Sequence, residues 1–500
     1  MYSFLLLVIS CKTINNIKAI SIKDIGFVSM AWIALIVIAQ ETATSKMSDY
    51  TIYATIAFII IWCAFFFAYT RKKINKLIIG TVVVAITFCE IIVCDTKALG
   101  LSQKLSDYTV NYPAYTECVN YIEDNDDSLY KTELSELNTR MDPCLYGYNG
   151  ISVFSSMANE NYSGLQYSLG MYGNRINSYT YNTQTPVYNM MYNMKYIIYT
   201  GENTRPSTNL YTKYYECSNG KSVVFTNDYF LPISYCVNEN INEWNTEEGN
   251  PFDVQSNWFK LSTGFSDVFK EVNYINCTHD GIIGNDVTSN GEYQYSGNSN
   301  TGSIDITIKP NINGNVYLYV SSREIKNLSC TSNDDSITQS IETPYILDLG
   351  YKTVDEEITI SLDCTNLDNA SGNYDIYCYS ADDTVLKAGY KLLNSQSINI
   401  TDFSETEITG TIKAKSNCVL YSSIPYDEGW TITVDGEKAE TFAIGNSQLG
   451  IMLKPGTHEI KYKYSPKGLT IGCVISAVTI LTLSGLFVLK RKKRTNSNKV

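Results

Sequence analysis

Among the groups in this chain that could move a proton, Glu90 stands out because it lies inside an apolar run, Leu77–Cys94. An ionisable side chain in hydrocarbon is costly unless it faces a cavity or a partner, so Glu90 is a candidate catalytic acid or base. Its place near one end of the run equally suits snorkelling to the interface. A second concentration of chemistry lies between Pro143 and Thr200, a stretch dense in Tyr, Asn, Gly and Ser. Planar rings and hydrogen-bonding amides and hydroxyls are what sugars require, and a tyrosine-rich packing region is the plainer alternative. Tyr148, Asn149, Ser155, Ser156 and Lys195 are the candidate substrate-binding residues there.

Other signatures fail on their spacing. Gly220-Lys221-Ser222 imitates the end of a phosphate loop, but Tyr215 occupies the place of the upstream glycine. No Gly-x-Ser-x-Gly elbow occurs, and His279 and His458, the only histidines, leave little scope for a Ser-His-Asp triad. No Cys-x-x-Cys pair exists, so a structural zinc site is not expected. Asp124–Ser128 (DNDDS) lacks the Gly and terminal Glu of a calcium loop and reads as a solvated turn.

Two apolar ends bracket the polar middle that carries most of these groups. A spanning helix needs about 20 mostly apolar residues. Ile25–Gln40, Thr51–Thr70, Leu77–Cys94 and Leu469–Leu489 answer to that length, the first slightly short, and Met1–Cys11 does not. Lys and Arg beside spans mark the cytoplasmic side. Lys12, Lys18, Lys23, the Arg71–Lys76 group and the Lys490–Arg494 cluster therefore lie inside, which puts residues 95–467 outside. Met1–Cys11 then reads as the inner end of a helix arriving from outside, so the chain is expected to be the C-terminal part of something longer. A signal peptide is the competing reading of the start, without a charged leader or a cleavage site of small residues.

The expected fold is a membrane α-helical bundle plus a large α+β extracytoplasmic domain ending in β-sandwich-like modules. Residues 1–94 form the spanning region and 95–280 a Tyr- and Asn-rich α+β domain, within which Leu129, Leu134 and Leu137 continue a helix-like spacing. Alternating runs such as Val316–Val320 and turn pairs such as Asp435-Gly436 predict a sandwich-like module over 281–403 and a second β module over 404–466. A span over 467–489 and a basic tail over 490–500 complete the chain. The 51 acidic against 38 basic residues fall mostly in the polar middle, where nothing basic is gathered to neutralise phosphates, so nucleic acid is excluded as a partner. Nine of the 14 cysteines lie between Cys118 and Cys418, and Cys364 with Cys378 could staple two neighbouring strands.

Several stretches in order resemble the C-terminal half of the YfhO family of bacterial multi-pass membrane proteins. They are Ser128–Glu133 (SLYKTE), with Lys131 where Arg is usual, Gly147–Ser156 (GYNGISVFSS), Gln184–Tyr199, Asn227–Val237 (NDYFLPISYCV), Asn250–Gly264, Ile424–Gly436 (IPYDEGWTITVDG) and Pro455–Pro466. The resemblance makes Ser128–Glu133 a strand, against the helical spacing. It implies a GT-C-like glycosyltransferase that takes a sugar from a polyprenyl-phosphate donor and passes it to a cell-envelope polymer such as lipoteichoic acid. The residues themselves identify no cofactor; the resemblance implies a divalent metal in the complete protein, offsetting phosphate charge. The acid of such enzymes sits in the first outer loop, which would lie upstream of Met1, so the catalytic residue stays unassigned with Glu90 as the one candidate.

Two functions compete. One is this transferase, or its C-terminal part, with Glu90 near the lipid phosphate and the Tyr148–Lys195 region near the acceptor. The other is a non-catalytic tethered protein that binds glycan or another envelope protein. Several spans before the polar middle favour the first, since one anchor suffices for display. A transporter would carry more intramembrane charge and an inverted repeat.

Overall fold

The computed structural model describes residues 2–15, 20–42, 48–71, 75–99, 104, 106, 109–135, 139–200, 206, 209–247, 249–297, 302–333, 335–365 and 371–497. The chain divides into two compact units, Met1–Tyr108 and Thr109–Val500.

The first unit is helical: Tyr2–Asn15, Ile22–Thr42, Asp49–Arg71 and Lys76–Leu99. Ile22–Thr42, Asp49–Tyr69 and Leu77–Thr96 are long and apolar enough to cross a membrane, as is Leu469–Lys490 in the second unit. Phe27, Trp32, Leu77 and Phe88 are exposed on these helices, as are Leu481 and Phe487 on the last. A helix apolar all round is built for lipid rather than water. The few hydroxyls are absorbed by their own helices: Thr55, Thr81 and Thr479 each donate to the carbonyl four residues back. Of the basic groups used to orient the spans, Lys18, Lys72 and Lys73 lie outside the described residues.

The second unit opens with the helix Tyr112–Asn125, started by Pro113 and burying Tyr115, Cys118, Val119 and Ile122. These pack on a four-stranded sheet ordered Lys131–Leu134, Met194–Thr200, Ser222–Asn227, Tyr211–Glu216. The first pair is parallel, with Thr132 opposite Tyr196 and Leu134 opposite Ile198. The helical spacing read through Leu129 and Leu134 is thus corrected, while Leu137 lies outside the described residues. Lys131–Leu134 is a strand, fixed by pairing with a segment some 60 residues away, as the SLYKTE resemblance implied.

Residues 269–381 form a sandwich. One sheet runs Asn273–Asp280, Ser303–Lys309, Ile358–Asp363, Asn327–Ser332, Asp335–Ser340; the other runs Ile283–Gly284, Gly291–Ser296, Ser371–Ala381, Gly314–Ser322, Leu347–Lys352. Alternation places Ile304, Ile306, Ile308, Ile358, Ile360 and Leu362 against Val316, Leu318, Val320 and Ile376 in one core. Cys364 and Cys378 are both buried in this core as free thiols. The two therefore do not form the staple their sequence positions suggested.

The helix Asp383–Asn394 follows, capped by Asp382, and it interrupts the β pattern expected over 281–403. Its Gly389 is required by close approach, because a Cβ there would stand 2.2 Å from Cζ of Phe259 on the helix Pro251–Thr263. The last β module draws on residues before 404: Asn399–Phe403 edges one sheet, and Ser234–Val237 edges the other beside Cys418–Pro425. The Asp435-Gly436 turn holds both residues at positive φ, 53° and 84°, as a two-residue hairpin needs.

Candidate functional site

In the polar unit a cleft of about 440 Å³ opens where the helix Tyr112–Asn125 ends, lined by Glu123, Asp126, Asp127, Tyr130, Asn149 and Phe403 among others. A second hollow of about 360 Å³ continues past Asp127–Leu129 to Phe230, Thr401 and Asp402. The chain leaves the helix through Asp126, whose extended backbone breaks the helical run. Its Oδ2 accepts from Lys195 Nζ at 2.5 Å and from the Tyr196 hydroxyl at 2.8 Å. Its Oδ1 accepts from the Ser128 amide and hydroxyl at 3.0 and 2.7 Å. Burial alone would raise this carboxyl, but the bonds from Lys195, Ser128 and Tyr196 outweigh it and hold it below the ordinary aspartate range.

Lys195 also donates to Ser128 Oγ at 3.0 Å. Its ammonium stands 5.7, 5.5 and 5.2 Å from the ring centres of Tyr130, Tyr196 and Phe230. A cation among three aromatic faces beside a carboxylate is fixed in position. Burial and the acids Asp126 and Glu123 push the Tyr130 phenol up to about 12, so it stays protonated and able to donate. Asn149 Nδ2 donates to the Tyr130 carbonyl at 2.9 Å, tying the following loop to the cleft wall.

The structure therefore places Asn149 and Tyr148 in the cleft lining and Lys195 beside it on Asp126, but it turns the Tyr148 hydroxyl inward to Glu133 Oε2 at 3.3 Å. Glu133 Oε1 accepts from the amides of Ile151 and Ser152 at 2.6 and 2.7 Å. Tyr148 thus belongs to the latch that shapes the loop as much as to the cleft. Ser155 and Ser156 lie elsewhere. They leave with the small sheet of Val153–Phe154, where the Ser155 amide donates to the Asn177 carbonyl and its hydroxyl accepts from the Met157 amide, away from the cleft lining. Asp126, read from sequence as part of a solvated turn, is the hub of the cleft. Locally it shows only the turn bonds from Ser128, and the partners that make it the hub lie 69 and 70 residues on.

In the spanning unit, Glu90 Oε2 accepts from Trp62 Nε1 at 3.2 Å. Both line a mostly apolar cleft of about 1100 Å³ with Ser29, Trp32, Phe58 and Cys63. Asp24, the other acid of that lining, accepts from the Ser21 amide at 2.8 Å. Among the described residues of this unit no group of three metal ligands comes together around Glu90.

No curated protein matches the chain. Solved structures give weak likenesses. A conserved protein of unknown function from Pseudomonas aeruginosa PAO1 is 9% identical, with 39% of this chain and 92% of that one covered at a TM-score of 0.12. The arabinofuranosyltransferase AftD from Mycobacteria is 8% identical, with 54% and 29% covered at 0.14. A beta-galacturonidase from Eisenbergiella tayi is 12% identical, with 40% and 37% covered at 0.14. Such scores are far too low to make any of these folds the same. The sequence itself is decisive, since the family described as bacterial membrane protein YfhO matches residues 1–476, nearly the whole chain. With four membrane-crossing helices and the SLYKTE-to-Pro466 stretches in place, this multi-pass membrane protein belongs to the YfhO family.

Proposed function

We propose that this chain is a glycosyltransferase-like protein, or the acceptor-holding part of one, whose polar unit faces the cell exterior and binds a glycan in the Asp126–Tyr130–Asn149 cleft. The observation that carries this is the lining itself. Tyr130 and Phe403 offer flat apolar faces, while Glu123, Asp127 and Asn149 offer acceptors and donors for paired hydroxyls. Lys195, already held by Asp126, leaves this cleft acidic on balance, so it reads sugar rings rather than phosphate groups. Lipoteichoic acid or a similar envelope polymer fits through its glycosyl portions. The basic residues Lys12, Lys23 and Lys490–Arg494 support the outward orientation.

The apolar cleft of the spanning unit suits the tail of a polyprenyl-phosphate donor, with Glu90 beside the head group. Transfer would form a bond from the acceptor oxygen to the sugar carbon and break the bond to the lipid phosphate, the hydroxyl proton passing to a carboxylate. A divalent metal would offset phosphate charge in such a reaction. Glu90 stands with Trp62 and does not gather further ligands among the described residues, so no step is assigned to a metal here.

Binding of purified lipoteichoic acid to the full chain in detergent tests the glycan reading. Asn149→Ala, at an exposed side chain, is expected to weaken binding about tenfold. Equal affinity of wild type and N149A would remove the cleft from the proposal.

A further inference from the structure

We propose that Cys277, His279 and Asp286 form a binding site for a divalent transition metal of the zinc type. Cys277 and His279 are two residues apart on the strand Asn273–Asp280, so strand alternation sends both to one face. Their cross-strand partners are Ile306 and Ile304, both fully buried, so that face is the inner one. The strand is an edge of its sheet, and Ile283–Gly284 is an edge of the facing sheet. The connection after Ile283–Gly284 carries Asp286 over the gap, and ligand atoms of the three residues lie within 4.8 Å of one another.

The contacts as they stand are incomplete. His279 Nδ1 is 3.9 Å from Asp286 Oδ1, too far for a hydrogen bond. His279 Nε2 is buried without a hydrogen-bond partner among the described residues. Gly284 leaves the room the ring occupies, since a Cβ there would stand 2.8 Å from Nε2. Tetrahedral nitrogen and oxygen ligands about 2.0–2.1 Å from an ion are about 3.3–3.4 Å apart, so a closure of about half an ångström turns the histidine–aspartate pair into a chelate. The exposed Asp286 can make that move at little cost.

The donor set selects the metal. A thiolate and a carboxylate balance a doubly charged ion, with a neutral imidazole as third ligand. Sulfur with nitrogen disfavours calcium and magnesium, which take oxygen, and suits zinc or cobalt. Three protein ligands leave one place for water. An ion there would pin the open edges of the two sheets together, where unpaired strand edges are otherwise exposed. The absence of a Cys-x-x-Cys pair, which argued against zinc in the sequence, does not bear on a site assembled from one strand and a loop of the facing sheet.

The test uses the purified full chain in detergent, stripped with a chelator and titrated with Co²⁺ and then Zn²⁺. One equivalent of Co²⁺ is expected, with thiolate-to-cobalt absorption that Zn²⁺ abolishes. Cys277→Ser should lose the absorption, and His279→Gln and Asp286→Asn should weaken binding at least tenfold, while His458→Gln binds as wild type. Asp286 is exposed, so D286N reports even where C277S does not fold. No binding of Co²⁺ or Zn²⁺ near equimolar metal, or full affinity in D286N, overturns the proposal.

Discussion

Glu133 makes a prediction that can be worked through from its surroundings. Its carboxylate is buried, with 2% of the residue exposed, and holds the Gly147–Ser156 loop through Ile151, Ser152 and Tyr148. Burial raises it from the ordinary 4.5 to about 7, against the opposing pull of bonds from Ser152, Ile151 and Tyr148. The folded value lies above the unfolded one. The loop's stability is therefore complete below pH 4.5, declines as the unfolded form ionises first, and reaches its floor once pH passes about 7. The difference corresponds to about 3 kcal/mol, or about a hundredfold in the opening equilibrium. Glu133→Gln keeps an oxygen for the two amides and turns an NH₂ toward the Tyr148 hydroxyl, so it imitates the protonated acid at every pH. Hydrogen exchange of the Ile151 and Ser152 amides, corrected for intrinsic rates, should lose protection about a hundredfold between pH 4.5 and 7 in wild type and stay flat in E133Q. Parallel profiles for the two proteins would refute the burial argument. Glu133→Ala should lose protection throughout, because two buried amides then lack their acceptor.

Two further substitutions probe packing and chemistry. Gly389→Ala drives a methyl into Phe259, itself fully buried, and should cost about 1–3 kcal/mol, read as a lower Tm of the polar unit; an unchanged Tm would mean that the two helices do not meet there. Glu90→Gln preserves the acceptor for Trp62 Nε1 but removes the carboxylate proposed as base, so on that proposal sugar transfer by the complete protein should vanish at unchanged expression; undiminished transfer would dismiss Glu90 from the chemistry.

Legibility in the sequence followed the range of the forces involved. The spans were readable because hydrocarbon imposes composition locally: about 20 apolar residues suffice, and Ile22–Thr42, Asp49–Tyr69, Leu77–Thr96 and Leu469–Lys490 carry them. The Asp435-Gly436 hairpin was readable because only such pairs accept two positive φ values cheaply. The helix Asp383–Asn394 also had local signals, an Asp382 cap and an apolar stripe through Leu386 and Leu393, but it was lost among alternating strands on either side. Lys131–Leu134 was the opposite case. Leucine spacing favoured helix, and only its parallel partner Met194–Thr200 makes it a strand.

The cleft shows why a site is harder to read than a fold. Lys195 was singled out from a region whose composition suits sugars, yet its role depends on Asp126, which no spacing rule connects to it. In isolation, Asp126 in a run of Asp and Asn is best explained by hydration. Once the strand Met194–Thr200 sets Lys195 and Tyr196 beside the helix end, the same carboxylate adds two bonds to the two that Ser128 gives it locally and loses most of its water. The hydrogen bonds then dominate the desolvation, which is why its carboxyl falls rather than rises. Cys277 and His279 repeat the point from the other side. Their spacing of two carries meaning only once strand alternation places both on one face and the loop after an edge strand of the facing sheet brings Asp286 near. In both places the chemistry lies in pairs made by topology, so it is the pairing of strands, more than residue type, that a sequence reading must recover first.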